Sequence, residues 1–381
     1  MNLSSVSQNL LLALFGTLSI TLGVASSTTA AQFSDTPLFK EVNSYETKIN
    51  GDFADVYFPV TEPQKNTETF PIALFLQGAL VDKSNYSKFA SIVTSYGFIV
   101  VVPNHFNQNF VPPGFPQGFY SEEEEVNQVI DYIKSEKSNY NSPIHEIIDI
   151  DKLVLLGHSY GGIVGLNAIE GNCIYPYCIG EFTRPQELVG GAFYGSDFNQ
   201  LGIFEQTPPI NNDGIPIALL AGTLDGLASF NGIKTTYEQL QTPPKYLLGI
   251  IGANHYSITN TNNPFPIPDS TIPSIDQNVG IETIARWSSL FLKATVLNDQ
   301  NALNYVYNLE YPLDINVNVI SQLRYVPEPN SILSLLCFST FGTTLWLWRK
   351  INCVTKGNKF SRPKSLAIIL RNRLKFKFFF F

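Results

Sequence analysis

Lys152-Leu153-Val154-Leu155-Leu156 runs directly into Gly157-His158-Ser159-Tyr160-Gly161-Gly162, and Ile163–Ile169 continues in a helical pattern. A buried strand, a glycine-rich turn around one serine and a helix make up the strand–turn–helix setting of a nucleophile elbow. Such a turn drives Ser159 into an unfavourable backbone conformation. Larger residues at 157 or 161 would collide with the flanking strand and helix. The helix N-terminus behind Ser159 favours negative charge developing there.

A serine hydroxyl needs a base to take its proton, and on this kind of scaffold the chain order is Ser, acid, His. Four histidines are present. His105 and His145 precede Ser159, and His158 is its neighbour, so these three read as structural or surface residues. His255 remains, in Gly252-Ala253-Asn254-His255-Tyr256 after the apolar run Tyr246–Ile251. The acid is expected where Ile215–Leu220 leads into Ala221-Gly222-Thr223-Leu224-Asp225. There Asp225 would fix the tautomer of His255. Asp213 precedes its strand and so falls on the wrong edge of a parallel sheet, and Asp197 is a weaker alternative in a loop. The oxyanion hole requires two backbone donors. Tyr160, after the nucleophile, supplies one, and Ala79 in Gln77-Gly78-Ala79-Leu80 is expected to supply the other.

Working outward, Phe70–Leu76, Gly97–Val102, Lys152–Leu156, Ile215–Leu220 and Tyr246–Ile251 read as strands covered on both faces, because their apolarity is continuous. Helical patterns lie between them. Ser121 reads as an N-cap with Glu124 closing a capping box, and Val126, Val129, Ile130 and Ile133 share the buried face. Glu122–Glu125 reads as a solvated first turn favoured by the helix dipole. Ile281, Ile284, Trp287 or Ser288, Phe291 and Leu292 mark a late amphipathic helix. The fold class is therefore α/β, with a doubly wound, mostly parallel sheet and helices on both faces.

The chain has 381 residues, 44% of them hydrophobic and 15% charged, which is ample for a buried core. Its net charge is −8, but residues 349–381 hold ten Lys/Arg and no acid, leaving −18 for the rest. So acidic a body argues against nucleic acid as a partner. Four cysteines are too few for a disulfide scaffold and are not at zinc-finger spacings.

Both ends read as addresses. Residues 1–31 carry no charged side chain, an apolar run from Leu10 to Val24 and a small-residue stretch from Ala25 to Ala31, as in a secretory signal peptide. Residues 32–325 form the catalytic domain. Val326-Pro327-Glu328-Pro329, the apolar stretch Ile332–Trp348 and Arg349-Lys350 resemble a PEP-CTERM sorting signal. That resemblance, over 326–350, implies a transient membrane anchor and an exosortase-type processing enzyme as partner. Residues 351–381 are a basic tail of unassigned role. In an exported protein Cys173 and Cys178, on a loop around Pro176, are spaced for a short disulfide. Cys337 and Cys353 belong to the sorting region.

The body is similar to α/β-hydrolases of the dienelactone-hydrolase, chlorophyllase and PET-hydrolase-like group. The resemblance rests on Gln77–Leu80, Tyr96–Pro103, Gly157–Gly162, Gly222–Asp225 and Gly252–His255. It covers about Ala54–Leu297 and implies the α/β-hydrolase fold and a serine ester hydrolase with no metal or organic cofactor. Plant-type chlorophyllases carry Arg after the nucleophile, where this chain has Tyr160. Two aromatic segments, His105–Tyr120 with Phe110 and Phe115, and Ile174–Phe182 with Tyr177, read as substrate walls, suited to a small-molecule or polymeric ester that is neutral and apolar. Lipid acyl or peptide cleavage by the same triad, and an anchored binding protein on an inactive scaffold, are the alternatives.

Overall fold

The apolar runs become strands of one sheet in the computed structural model, which describes residues 36–61, 68–107, 116–264, 266–307 and 314–322. The signal-like, sorting and tail segments lie outside the described residues, as do Cys337 and Cys353. In chain order the elements are β1 (Val42–Ile49), β2 (Asp52–Pro59), β3 (Phe70–Leu76), α1 (Ser87–Ser95), β4 (Ile99–Pro103), β5 (Phe106–Asn107) and β6 (Gly118–Phe119). There follow α2 (Glu124–Ser138), β7 (Ile148–His158), α3 (Tyr160–Glu170), β8 (Leu188–Tyr194), β9 (Ile217–Gly222) and α4 (Phe230–Gln239). The last are β10 (Lys245–Ile250), α5 (Gln277–Val296), α6 (Gln300–Tyr307) and β11 (Val317–Gln322).

The main sheet has nine strands in the order β1-β2-β4-β3-β7-β8-β9-β10-β11. From β4 to β10 every pair is parallel, and antiparallel strands finish both sides. This mostly parallel sheet between helices is the α/β-hydrolase fold. All seven residues of β3 are buried. Alternate side chains go to opposite faces: Ile72, Leu74 and Leu76 join α2, α3 and α4 in one core, while Ala73 and Phe75 join α1, α5 and α6 in the other. Each such Leu, Ile or Phe contributes roughly 1.5–3 kcal/mol on burial. The carboxyl ends of β3, β7, β9 and β10 thus emerge on one edge, where loops meet.

Several elements differ from the sequence reading. The β1–β2 hairpin turns at Asn50-Gly51, both at positive φ (50° and 97°), the turn chemistry that a two-residue hairpin requires. Strand β8, absent from the sequence reading, carries Gly190 and Gly191 in its middle. A Cβ on Gly190 would lie 2.7 Å from Val296 Cγ2 on α5, and one on Gly191 would lie 2.6 Å from Phe193 Cζ. Close packing of a central strand demands glycine there.

The start of α2 is a correction. Ser121 is not its cap: it is buried, and its hydroxyl donates to Gln77 O at 3.3 Å. The helix begins later, and the Glu125 carboxylate accepts from Glu122 N at 2.7 Å. Nor is the whole acid run solvated: Glu124 is exposed, but Glu123 is 0% and Glu125 3% exposed. Burial pushes Glu123, whose two carboxyl oxygens have no hydrogen-bond partner among the described residues, up to about 9. Burial also pushes Glu125 up to about 7, against the pull of His105. His105, for its part, loses by burial but gains more from Glu122, Glu125 and Asp52, which carry it up to about 10.

The folded chain therefore holds a proton on Glu123 between the ordinary 4.5 and about 9 that the unfolded chain releases. Stability falls as pH rises through that window. Glu123→Gln should match wild type at pH 4.5 and exceed it at pH 8.5 by on the order of 1–3 kcal/mol in urea unfolding. Equal differences at both pH values would refute the protonated assignment.

Candidate active site

Ser159 sits between β7 and α3 at φ 53°, ψ −122°, a region that a residue with a side chain rarely occupies. Its N–H donates to Tyr194 O at 2.9 Å, and its carbonyl accepts from Ser196 Oγ at 3.1 Å. The glycines around it leave no room for substitution. A Cβ on Gly161 would fall 2.2 Å from Leu76 O, and one on Gly157 would fall 2.7 Å from Gly162 Cα. The turn can close against β3 only because both side chains are absent.

The structure brings Asp225 and His255 into contact. His255 Nδ1 lies 3.0 and 2.9 Å from the two Asp225 carboxylate oxygens, with both side chains almost fully enclosed. A carboxylate can only accept, so a ring proton sits on Nδ1. Asp225 follows β9, and its Oδ1 also accepts from Leu227 N at 2.9 Å and Ala228 N at 2.7 Å. These N–H groups lower the cost of a buried charge. Gly195, at φ 62°, follows the residue that binds the Ser159 N–H. A Cβ there would be 3.2 Å from both Asp225 Oδ2 and His255 Nδ1. The imidazole therefore packs against the strand end that secures the elbow. Asp213 is elsewhere, bound to Arg184 at 2.7 Å, and Asp197 caps Asn199 N at 3.1 Å.

Neither the Ala79 N–H nor the Tyr160 N–H donates a hydrogen bond among the described residues. Leu80 N, one residue on, donates to Phe119 O at 2.6 Å and Gln77 Nε2 to His105 O at 3.4 Å, so the β5–β6 hairpin holds this loop. Phe106 on the hairpin is 44% exposed and meets Phe119 edge-on at 5.4 Å. Phe110 and Phe115 lie outside the described residues.

Tyr177 corrects the second wall. It is 1% exposed and packs on the Tyr160 ring at 5.2 Å, so it offers no surface to a ligand. Tyr160 itself turns inward, donating from its hydroxyl to Pro176 O at 3.0 Å. Cys173 and Cys178 are joined in a disulfide that closes this loop.

Sequence reasoning missed Asp269. Its Oδ2 accepts from His255 N at 2.9 Å and Gly226 N at 3.1 Å, and its Oδ1 accepts from Thr271 N at 2.8 Å. One buried carboxylate thus ties the loop carrying Asp225 to the loop carrying His255. Burial would raise it, but the hydrogen bonds from Thr271, His255 and Gly226 prevail and hold it below its ordinary range. The only sequence signal was an acid in a Pro- and Asn-rich stretch after His255.

A family model described as Chlorophyllase matches residues 42–170. Chlorophyllase type 0 of Chenopodium album is 30% identical over 105 residues, 26% of this chain and 28% of that protein. With the fold, these matches support a chlorophyllase-like α/β-hydrolase. The family match spans the Gln77–Leu80 loop and the Ser159 elbow and stops before Asp225 and His255. Among the described residues no three or more His, Cys, Asp or Glu are grouped to hold a metal ion, and no helix is long and apolar enough to cross a membrane.

Asp269→Ala removes the shared acceptor of the His255 and Gly226 N–H groups and should cost about 2–4 kcal/mol at pH 7 in urea unfolding. Because the folded carboxyl is held low, its contribution is present above the ordinary 3.8 and is lost as pH falls below it. The deficit should shrink in acid. A deficit unchanged from pH 7 to pH 3 would contradict the carboxylate clamp.

Proposed function

We propose that the chain is a serine hydrolase of carboxylic esters. One observation carries the reading: Ser159 is held in a strained elbow beside an Asp225–His255 pair whose proton is already placed on Nδ1. Ser159 Oγ attacks the ester carbonyl carbon and its proton passes to His255 Nε2. The N–H groups of Ala79 and Tyr160 receive the oxyanion. Collapse breaks the bond to the alcohol oxygen, which takes the proton from His255. Water, activated in turn by His255, then frees the acid from Ser159.

The substrate we infer is neutral and apolar. The acidic body repels anions at low ionic strength, and the described part of the first wall offers the exposed Phe106 ring beside the oxyanion loop. The Chenopodium relative is named a chlorophyllase, so a chlorophyll-type ester belongs with acylglycerols and aromatic polyesters among the compounds to test. The ring of Tyr160 is 4% exposed. Tyr160 stands where plant-type chlorophyllases carry Arg, which ranks a chlorophyll ester no higher than the other two.

We also propose export, signal removal and transient anchoring through Ile332–Trp348 with exosortase-type processing. This rests on the sequence of the two ends. A short disulfide at 173–178 suits an oxidising compartment.

Purified protein should turn over p-nitrophenyl acetate and butyrate, and Ser159→Ala should lose on the order of 10³-fold or more, because triad members act as a unit. A neutral ester should exceed a carboxylated analogue in kcat/KM. Equal rates for wild type and Ser159→Ala would defeat the enzyme reading; a preference for the charged ester would defeat only the substrate class.

A further inference from the structure

His158 is fully buried beside the nucleophile and has no part in the proton transfers above. Its ring lies 4.7 Å from that of His255 and stacks near Tyr194 at 6.1 Å. Its Nε2 is 2.9 Å from His255 O, its Nδ1 is 3.0 Å from Tyr86 Oη, and Gly78 N donates to that same Tyr86 oxygen at 3.0 Å.

For a neutral imidazole, one assignment of protons satisfies all three contacts. A peptide carbonyl can only accept, so His158 Nε2 carries the hydrogen. Nδ1 is then a lone pair and accepts from the Tyr86 hydroxyl. The Tyr86 oxygen keeps lone pairs for the Gly78 N–H. Both side chains must be neutral for this to hold. Burial, with His255 adding to it, pushes the His158 imidazole well below its ordinary range, and burial pushes the Tyr86 phenol up. Within an enclosed site, such hydrogen bonds reinforce one another.

We propose that Tyr86 and His158 are positioning residues. They form a one-way hydrogen-bond chain, Gly78 N–H to Tyr86 to His158 to His255 C=O, that holds the oxyanion loop and the catalytic-histidine loop in register across the elbow. The proposal rests on the reading of Ser159 and His255 as the reacting pair. Ala79, the proposed oxyanion donor, follows Gly78 directly, so the chain grips the backbone at both partners of the ester carbonyl. It also gives Gly78 a reason to be glycine: a Cβ there would stand 2.7 Å from His158 Nδ1 and 3.2 Å from Tyr86 Oη. On the other side of His255, the N–H is held by Asp269 at 2.9 Å. Its peptide is thus fixed at both ends, and His158 supplies the link to the oxyanion loop.

The test combines two readouts. Nitrogen-15 NMR at pH 7 should find His158 as the Nε2–H tautomer in wild type. A fluorophosphonate probe, which bonds its phosphorus to Ser159 Oγ and releases fluoride, reports loop alignment without knowledge of the natural ester. Tyr86→Phe should label about 10-fold more slowly, and His158→Leu on the order of 10²-fold. His158→Gln, which keeps one acceptor and one donor, should stay within about threefold. The Tyr86→Phe/His158→Leu double variant should be no slower than His158→Leu, since both break one chain. With p-nitrophenyl butyrate the loss should fall on kcat and leave KM unchanged; thermal unfolding confirms that the variants are folded. An Nδ1–H tautomer, wild-type labelling by Tyr86→Phe, or additive losses would overturn the proposal. Failure of wild-type Ser159 to label would defeat the reading of the serine and the positioning role with it, while the tautomer would still report the hydrogen-bond chain.

Discussion

The site depends on holding one residue, Ser159, at a backbone conformation that its side chain disfavours. Such strain costs on the order of 1–3 kcal/mol and persists only where the surroundings over-determine it. Here the surroundings are the end of β7, the Ser159 N–H bonded to Tyr194 O, and the absence of side chains at 157 and 161. The same turn places Tyr160 directly after Ser159, at the first position of α3. The parallel sheet supplies the remaining condition, bringing the loops after β3, β9 and β10 to the edge where β7 ends.

The loops that meet there are tied to one another and to their neighbours by hydrogen bonds. Asp269 accepts from N–H groups of the Asp225 and His255 loops, and Phe119 O on the β5–β6 hairpin accepts from Leu80 N. The disulfide loop, through Pro176 O and the Tyr177 ring, secures Tyr160 from below. A hydrogen-bonded loop holds its donors to a narrow range of positions, whereas an apolar contact tolerates sliding.

The central strands were legible because a strand covered on both faces must be apolar at every position, and Phe70–Leu76 obeys that without exception. Ser159, Asp225 and His255 were legible as candidates because chain order and the small number of histidines left little choice. β8 was hidden by Gly190 and Gly191, whose close packing is a tertiary fact with no local signature. The Asn50-Gly51 turn was a usable local signal for the β1–β2 hairpin. Asp269, and the pairing of Tyr86 with His158 across 72 residues, could not be read, because nothing near either residue in the chain announces its distant partner. The acid run misled for the same reason: Glu122–Glu125 resembles any helix first turn until Ser121 is drawn in toward Gln77.

The central claim is that Ser159 becomes covalently acylated. Rapid acid quench of a p-nitrophenyl butyrate reaction, followed by peptide mass spectrometry, tests it most directly. The account predicts a butyryl group on the peptide bearing Ser159, formed in a burst of p-nitrophenol release and absent when His255 is replaced by Ala. Turnover with no adduct on that peptide, or an adduct at another residue that survives removal of the Ser159 hydroxyl, would contradict it.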